Sequence, residues 1–166
     1  MTSPAVDTSS RLRTFTRLGF WFTLLIGFLL PWALMLGVDT WVHHVPFARA
    51  WRSFTLHLFA PGYNLFLVGV LTAIPFVVLA IVMLLHVGAI DSRKALIAHR
   101  RVLGLVSADL IMLIIAGWTH IMVLIYPDAQ GALAYFYLPA LLLLSLPIGY
   151  GIGRALAKVL LPRSTA

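Results

Sequence analysis

Apolar residues fall in four long blocks, at 18–38, 65–86, 102–126 and 132–153, with polar stretches between them. The first block has no Asp, Glu, Lys or Arg over 21 residues. At about 1.5 Å of helical rise per residue, such a block matches the roughly 30 Å hydrocarbon core of a bilayer. Each block is predicted to be a transmembrane helix. The expected fold class is an all-α integral membrane protein with a four-helix domain over 18–159, a polar N-terminal segment at 1–17 and a short tail at 160–166. The first block follows Arg11, Arg13 and Arg17 as a signal peptide would, but it is too long for a secretory apolar core and is read as an uncleaved span.

The breaks in the pattern are informative. Pro31 and Pro75 lie inside the first two blocks and Pro139 and Pro147 inside the fourth, where each removes a backbone donor and favours a kink. The link Pro127-Asp128-Ala129-Gln130-Gly131 is short enough to make the third and fourth helices antiparallel neighbours. The link between the first two blocks is longer and has helical periodicity of its own. Over about 46–59, Phe47, Trp51, Phe54 and Leu58 share one face and Arg49, Arg52 and Ser53 the other. This pattern suits an interfacial amphipathic helix on the outer membrane surface, with Pro61-Gly62 turning the chain back. It serves either as a cover on the bundle or as a docking element. On the fourth block, Ser145, Gly149 and Gly153 form a small-residue stripe against which a helix packs, from the same chain or from another subunit.

Charge sets the orientation. With the N-terminus inside, Arg11, Arg13, Arg17, Arg93, Lys94, Arg100, Arg101, Arg154, Lys158 and Arg163 are cytoplasmic, ten of the twelve basic residues, and only Arg49 and Arg52 are external. The positive-inside rule therefore places both termini in the cytoplasm, and the expected location is a cell inner membrane. The net charge of +7 does not indicate nucleic acid, because the basic residues sit at the ends of apolar segments and not on one soluble face. A content of 61% apolar residues, a mean hydropathy of +1.00 and only 10% charged residues lie outside the soluble range. The chain has no cysteine, which excludes disulfides, dithiol exchange, c-type haem attachment and thiolate-bound clusters.

Candidate chemistry is sparse. Asp109 is the only carboxylate within a span, and an unpaired charge there is costly, so it should face the bundle, either protonated, capped by a Ser or Thr, or paired with a cation such as Arg101 on the same helix. His120 lies eleven residues on, within about 20° of the same face and about 16 Å away along the axis. The pair marks either the face turned toward the other helices or part of a proton pathway. His120 with His43, His44 or His57 is a candidate haem or metal set, with Asp39 and Asp128 nearby in the pattern, although the spacing fits no ligand motif. His86 and His99 flank the same cytoplasmic link and are poorly placed for haem. Ser107 and Ser145 have no base beside them, and no paired carboxylates share a depth. Gly149-Tyr150-Gly151-Ile152-Gly153 lacks the spacing and the strand of a nucleotide loop. No internal repeat suggests an inverted-repeat transporter.

The expectation is a non-enzymatic, multi-pass accessory or structural subunit with no assigned cofactor, whose partners are the lipid bilayer and other membrane subunits or further copies of itself. A haem- or metal-binding redox subunit and a small proton-linked carrier using Asp109 and His120 are the alternatives.

Overall fold

In the computed structural model, which describes residues 4–61, 64–90, 95–126 and 131–161, every regular element is helical. Helix α1 covers Pro4–Gly37 and widens into a π turn at Val38–Val42, α2 covers Phe47–His57, α3 Leu65–Gly88, α4 Ala95–Ile125 and α5 Gly131–Leu160. Gly62, Asp91, Arg93, Lys94, Asp128 and Arg163, and with them most of the 127–131 link, lie outside the described residues.

Four of these helices contain segments long and apolar enough to cross a membrane: Ser10–Val42, Leu65–Gly88, Leu96–Ile125 and Leu133–Leu160. The helices run past the apolar blocks. Helix α4 begins at Ala95, ahead of the block at 102–126, and α5 continues to Leu160, past the block at 132–153. Likewise α1 begins at Pro4, well inside the polar segment. The reason is physical: Arg, Lys and Ala are good helix formers, and backbone hydrogen bonding does not stop where the apolar window does. All four prolines are accommodated within continuous helix.

The long helices run up and down. Arg13 near the start of α1 donates to the Ile90 carbonyl just past the end of α3 (2.8 Å), and Trp32 near the end of α1 donates to the Leu65 carbonyl at the start of α3 (2.9 Å). Helix α1 packs most closely on α3 and α4 most closely on α5, with α1 on α4 and α3 on α5 completing the bundle. The start of α1 and the finish of α5 therefore lie at one end, with Arg11, Arg13, Arg17, Arg100, Arg101, Arg154 and Lys158; Arg49 and Arg52 lie at the other. Phe76, Leu79, Leu105, Met112, Leu138 and Leu142 fill the core. Outward positions are as apolar as inward ones: Leu18, Trp21, Phe22 and Leu25 on α1 and Ile114 and Trp118 on α4 are all exposed. Such a surface suits hydrocarbon as its solvent, and the fold is that of a helical bundle with four helices able to span a membrane.

Small residues set the two closest contacts. A Cβ on Gly149 would come within 2.7 Å of the Ala108 Cα, and one on Gly153 within 2.8 Å of the Gly104 Cα, so α5 meets α4 backbone to backbone. The Ser145/Gly149/Gly153 stripe thus faces its own chain at Gly149 and Gly153. On α1, Gly19, Thr23 and Gly27 form a second stripe, where a Cβ on Gly27 would fall 2.4 Å from the Phe76 Cβ of α3. It has the same four-residue spacing as the stripe on α5.

Helix α2 docks on the far end of the bundle. A corner leads into it, with the Asp39 carbonyl accepting from Val45 N (2.9 Å) and His44 in the left-handed region at φ 54°. Asn64 then caps α3 by accepting from Leu67 N (2.9 Å), and Phe66 N donates to the Leu58 carbonyl (3.0 Å). The predicted aromatic face is divided. Phe54 is buried with Ala50 against Trp32, Met35 and Leu65, whereas Phe47 and Trp51 are exposed and stack on each other at 6.2 Å. Ala50 lies beyond Phe54 on the wheel, on the side away from Trp51, and lets α2 approach closely there, which rotates the buried edge away from Phe47 and Trp51. Trp41, Phe59, Tyr126, Phe136 and Tyr137 are also exposed toward this end, as in an aromatic girdle at headgroup depth.

Candidate functional site

The two polar residues of α4 are both buried, and each is joined to a threonine on another helix. Asp109 Oδ2 accepts from Thr23 Oγ1 of α1 at 2.9 Å, and the same hydroxyl lies 3.6 Å from Met83 Sδ of α3. Thr23 is fully buried because Gly19 and Gly27, one turn away on either side, bring α1 close to its neighbours. Of the two partners expected for Asp109, the hydroxyl is the one present; Arg101 instead lines a cavity near the basic end of the bundle. The second carboxylate oxygen, Oδ1, is buried without a hydrogen-bond partner.

His120 Nε2 lies 3.1 Å from Thr72 Oγ1 of α3, and its ring lies over Tyr135 of α5 at 5.3 Å between centroids and 32° between planes. The ring is 1% exposed, enclosed between Thr72 and Tyr135. Asp109 therefore ties α4 to α1 at one level, and His120 ties α4 to α3 and α5 at another. Between the levels, the same face of α4 carries Met112 and Ala116, which pack with Phe76, Leu79, Leu138 and Leu142. The two polar residues share a stripe, as their spacing predicted, and a closed apolar layer separates them.

The other histidines lie elsewhere. His43 and His44 are exposed on the corner before α2, and His57 Nδ1 donates to the Ser53 carbonyl (2.8 Å) on the exposed side of α2. Among the described residues, no three His, Cys, Asp or Glu side chains gather as metal ligands would. Ser145 donates to the Leu142 carbonyl (2.8 Å) on its own helix, and Ser107 packs beside Gly153. Thr23, Thr72, Tyr135 and Trp32 were not singled out in the sequence. A threonine four residues from a glycine within a span was the available signal for Thr23; nothing local marked the other three.

No family model matches the chain, and comparison with curated proteins and with solved structures finds no match. The reading of function rests on the geometry alone.

Proposed function

We propose that this protein is a non-enzymatic, multi-pass inner-membrane protein that acts as a small accessory or structural subunit of a membrane complex, with both termini in the cytoplasm. The observation that carries this reading is the use of Asp109 and His120 as interhelical hydrogen-bonding groups, each joined to a threonine and separated by the Phe76–Met112–Leu138 layer. Polar groups arranged in this way fix helix register and contact. The orientation is supported by the gathering of basic residues at the end where α1 begins and α5 finishes.

Gentle detergent extraction from the native membrane tests the proposal. A colourless sample with one chain, or a further copy of this chain, co-purifying in fixed ratio is expected. A Soret band or stoichiometric metal would replace this reading with a redox one.

One observation favours a second reading. Asp109 Oδ1 is buried and unpartnered, as a carboxylate that exchanges a proton would be. In that reading the protein is a small proton-linked carrier, and Asp109→Asn abolishes proton flux into vesicles while leaving the bundle assembled. Unchanged flux in that variant rules the carrier out.

A further inference from the structure

Among the described residues, several grooves are lined by apolar side chains, for example Phe28, Ala73, Ile74 and Val77, and read as seats for acyl chains. Another differs in chemistry and position. Between the end of α3 and the start of α4 lies a cavity of about 330 Å³, lined by His86, Ile90, Ile97, Ala98, Arg101 and Val102, with Ala89 at its edge. At about 30 Å³ per water this is space for roughly ten water molecules, enough for a phosphate and the glycerol next to it.

The lining is built in two halves. Ile90, Ala98 and Val102 form a small buried cluster with Leu12 of α1, which makes a firm apolar wall. Arg101 and His86 supply the polar half. His86 Nδ1 donates to the Val82 carbonyl at 3.1 Å, so the ring is fixed and Nε2 is its remaining polar atom. The half-buried guanidinium of Arg101 makes no hydrogen bond to any described residue. Arg13, by contrast, is engaged with the Ile90 carbonyl and braces the cavity's edge. Of the carboxylates whose side chains are described, Asp109 is bonded to Thr23 and Asp39 is at the opposite end of the bundle. A planar guanidinium at a partly apolar cavity, where the apolar length of α3 ends, is suited to a phosphate oxygen pair with a hydrocarbon body beside it.

We propose that this cavity binds a phosphate group, with Arg101 as the charge partner and the fixed His86 ring as part of its wall, and that an acidic membrane lipid carries it. The inference rests on the helices lying in a bilayer and does not need the subunit reading.

The test uses the full chain in neutral phosphatidylcholine nanodiscs, whose formation itself checks that the protein is membrane-embedded. Phosphatidylglycerol is titrated in, and retained lipid is counted by native mass spectrometry. One retained acidic lipid is expected. Arg101→Gln should weaken its retention roughly tenfold, in line with loss of one charge-assisted hydrogen bond. Lys158→Gln, which removes an exposed charge at the same end, should change it less than about twofold, as expected for a surface charge screened by salt. Ala89→Trp keeps every charge, fills the edge of the cavity and should also weaken retention, while Arg101→Lys restores part of it and shows that the position tolerates change. Equal losses in Arg101→Gln and Lys158→Gln, or no loss in Ala89→Trp, overturn the site in favour of a diffuse basic surface. Inorganic phosphate is the second arm: displacement of the lipid by millimolar phosphate assigns the site to a soluble phosphate, and retention assigns it to the lipid.

Discussion

Thr23 donates to Asp109 across 86 positions of sequence at 2.9 Å, and the hydroxyl's other neighbour is the sulfur of Met83. Three helices thus meet at one buried side chain. In hydrocarbon, a hydroxyl and a carboxyl with no water to turn to hold each other in place, and the glycines flanking Thr23 are what allow the approach.

If that bond stabilises the bundle, Thr23→Val lowers unfolding stability in detergent by about 1–2 kcal/mol, since it leaves both Asp109 oxygens without a donor. In an Asp109→Leu background the same change has no acceptor to deprive and costs almost nothing. The double-mutant cycle is expected to give a coupling of about 1 kcal/mol, within the range of interhelical hydrogen bonds in membranes. Additive losses would mean that the two residues stabilise the fold independently.

The glycines of α5 make a sharper contrast. Gly149 and Gly151 are two residues apart on the same helix, yet a Cβ on Gly149 would strike the α4 backbone at 2.7 Å and one on Gly151 would meet nothing within 4 Å. Gly149→Ala should cost about 1–3 kcal/mol, because the Ala108 backbone cannot move aside as a flexible side chain does. Gly151→Ala should be neutral or slightly stabilising, since alanine is the better helix former. Equal tolerance at both positions would show that α4 and α5 are not in close contact.

These contacts show how much of the structure could be read from the sequence. The four spans, the up-and-down order and the inward facing of Asp109 and His120 follow from hydropathy, link length and helical spacing, which act locally. The identities of their partners do not. Thr23 and Thr72 are unremarkable residues until α1 and α3 are placed beside α4, and that placement depends on which small residues let which backbones approach. The division of the α2 face had the same origin. Periodicity groups Phe47, Trp51 and Phe54, but only the docking of Ala50 decides that Phe54 is covered and the other two are not. Helix ends were also hidden, because Arg and Lys stop a hydropathy window without stopping a helix.

Helix α2 offers a test of that division. Phe54 is 7% exposed and lies 6.0 Å from the Trp32 ring, whereas Trp51 is 49% exposed. Phe54→Ala should lower stability by about 3 kcal/mol through the cavity it leaves. Trp51→Ala should leave stability within about 1 kcal/mol and instead reduce quenching of tryptophan fluorescence by lipids brominated near the headgroup, because an exposed indole at the aromatic girdle is lost. A large stability loss from Trp51→Ala would place its ring against protein.

The bundle also constrains topology more tightly than a count of charges does. Arg13 meets the residue following α3, and Gly104 near the start of α4 meets Tyr150 and Arg154 near the end of α5, so the beginning of α1 and the finish of α5 share one end. Reporters at the two termini must then give the same answer, whichever side of the membrane it is. The positive-inside rule predicts the side: basic residues resist translocation, and of the described ones Arg49 and Arg52 alone stand at the other end. Fusions at residues 1 and 166 are expected to be cytoplasmic, and a fusion at Pro127 external. Opposite answers from the two termini would contradict the helical arrangement itself. Both termini external, with Pro127 cytoplasmic, would leave the bundle intact and invert it in the membrane, and the cavity at Arg101 would then face the outer leaflet.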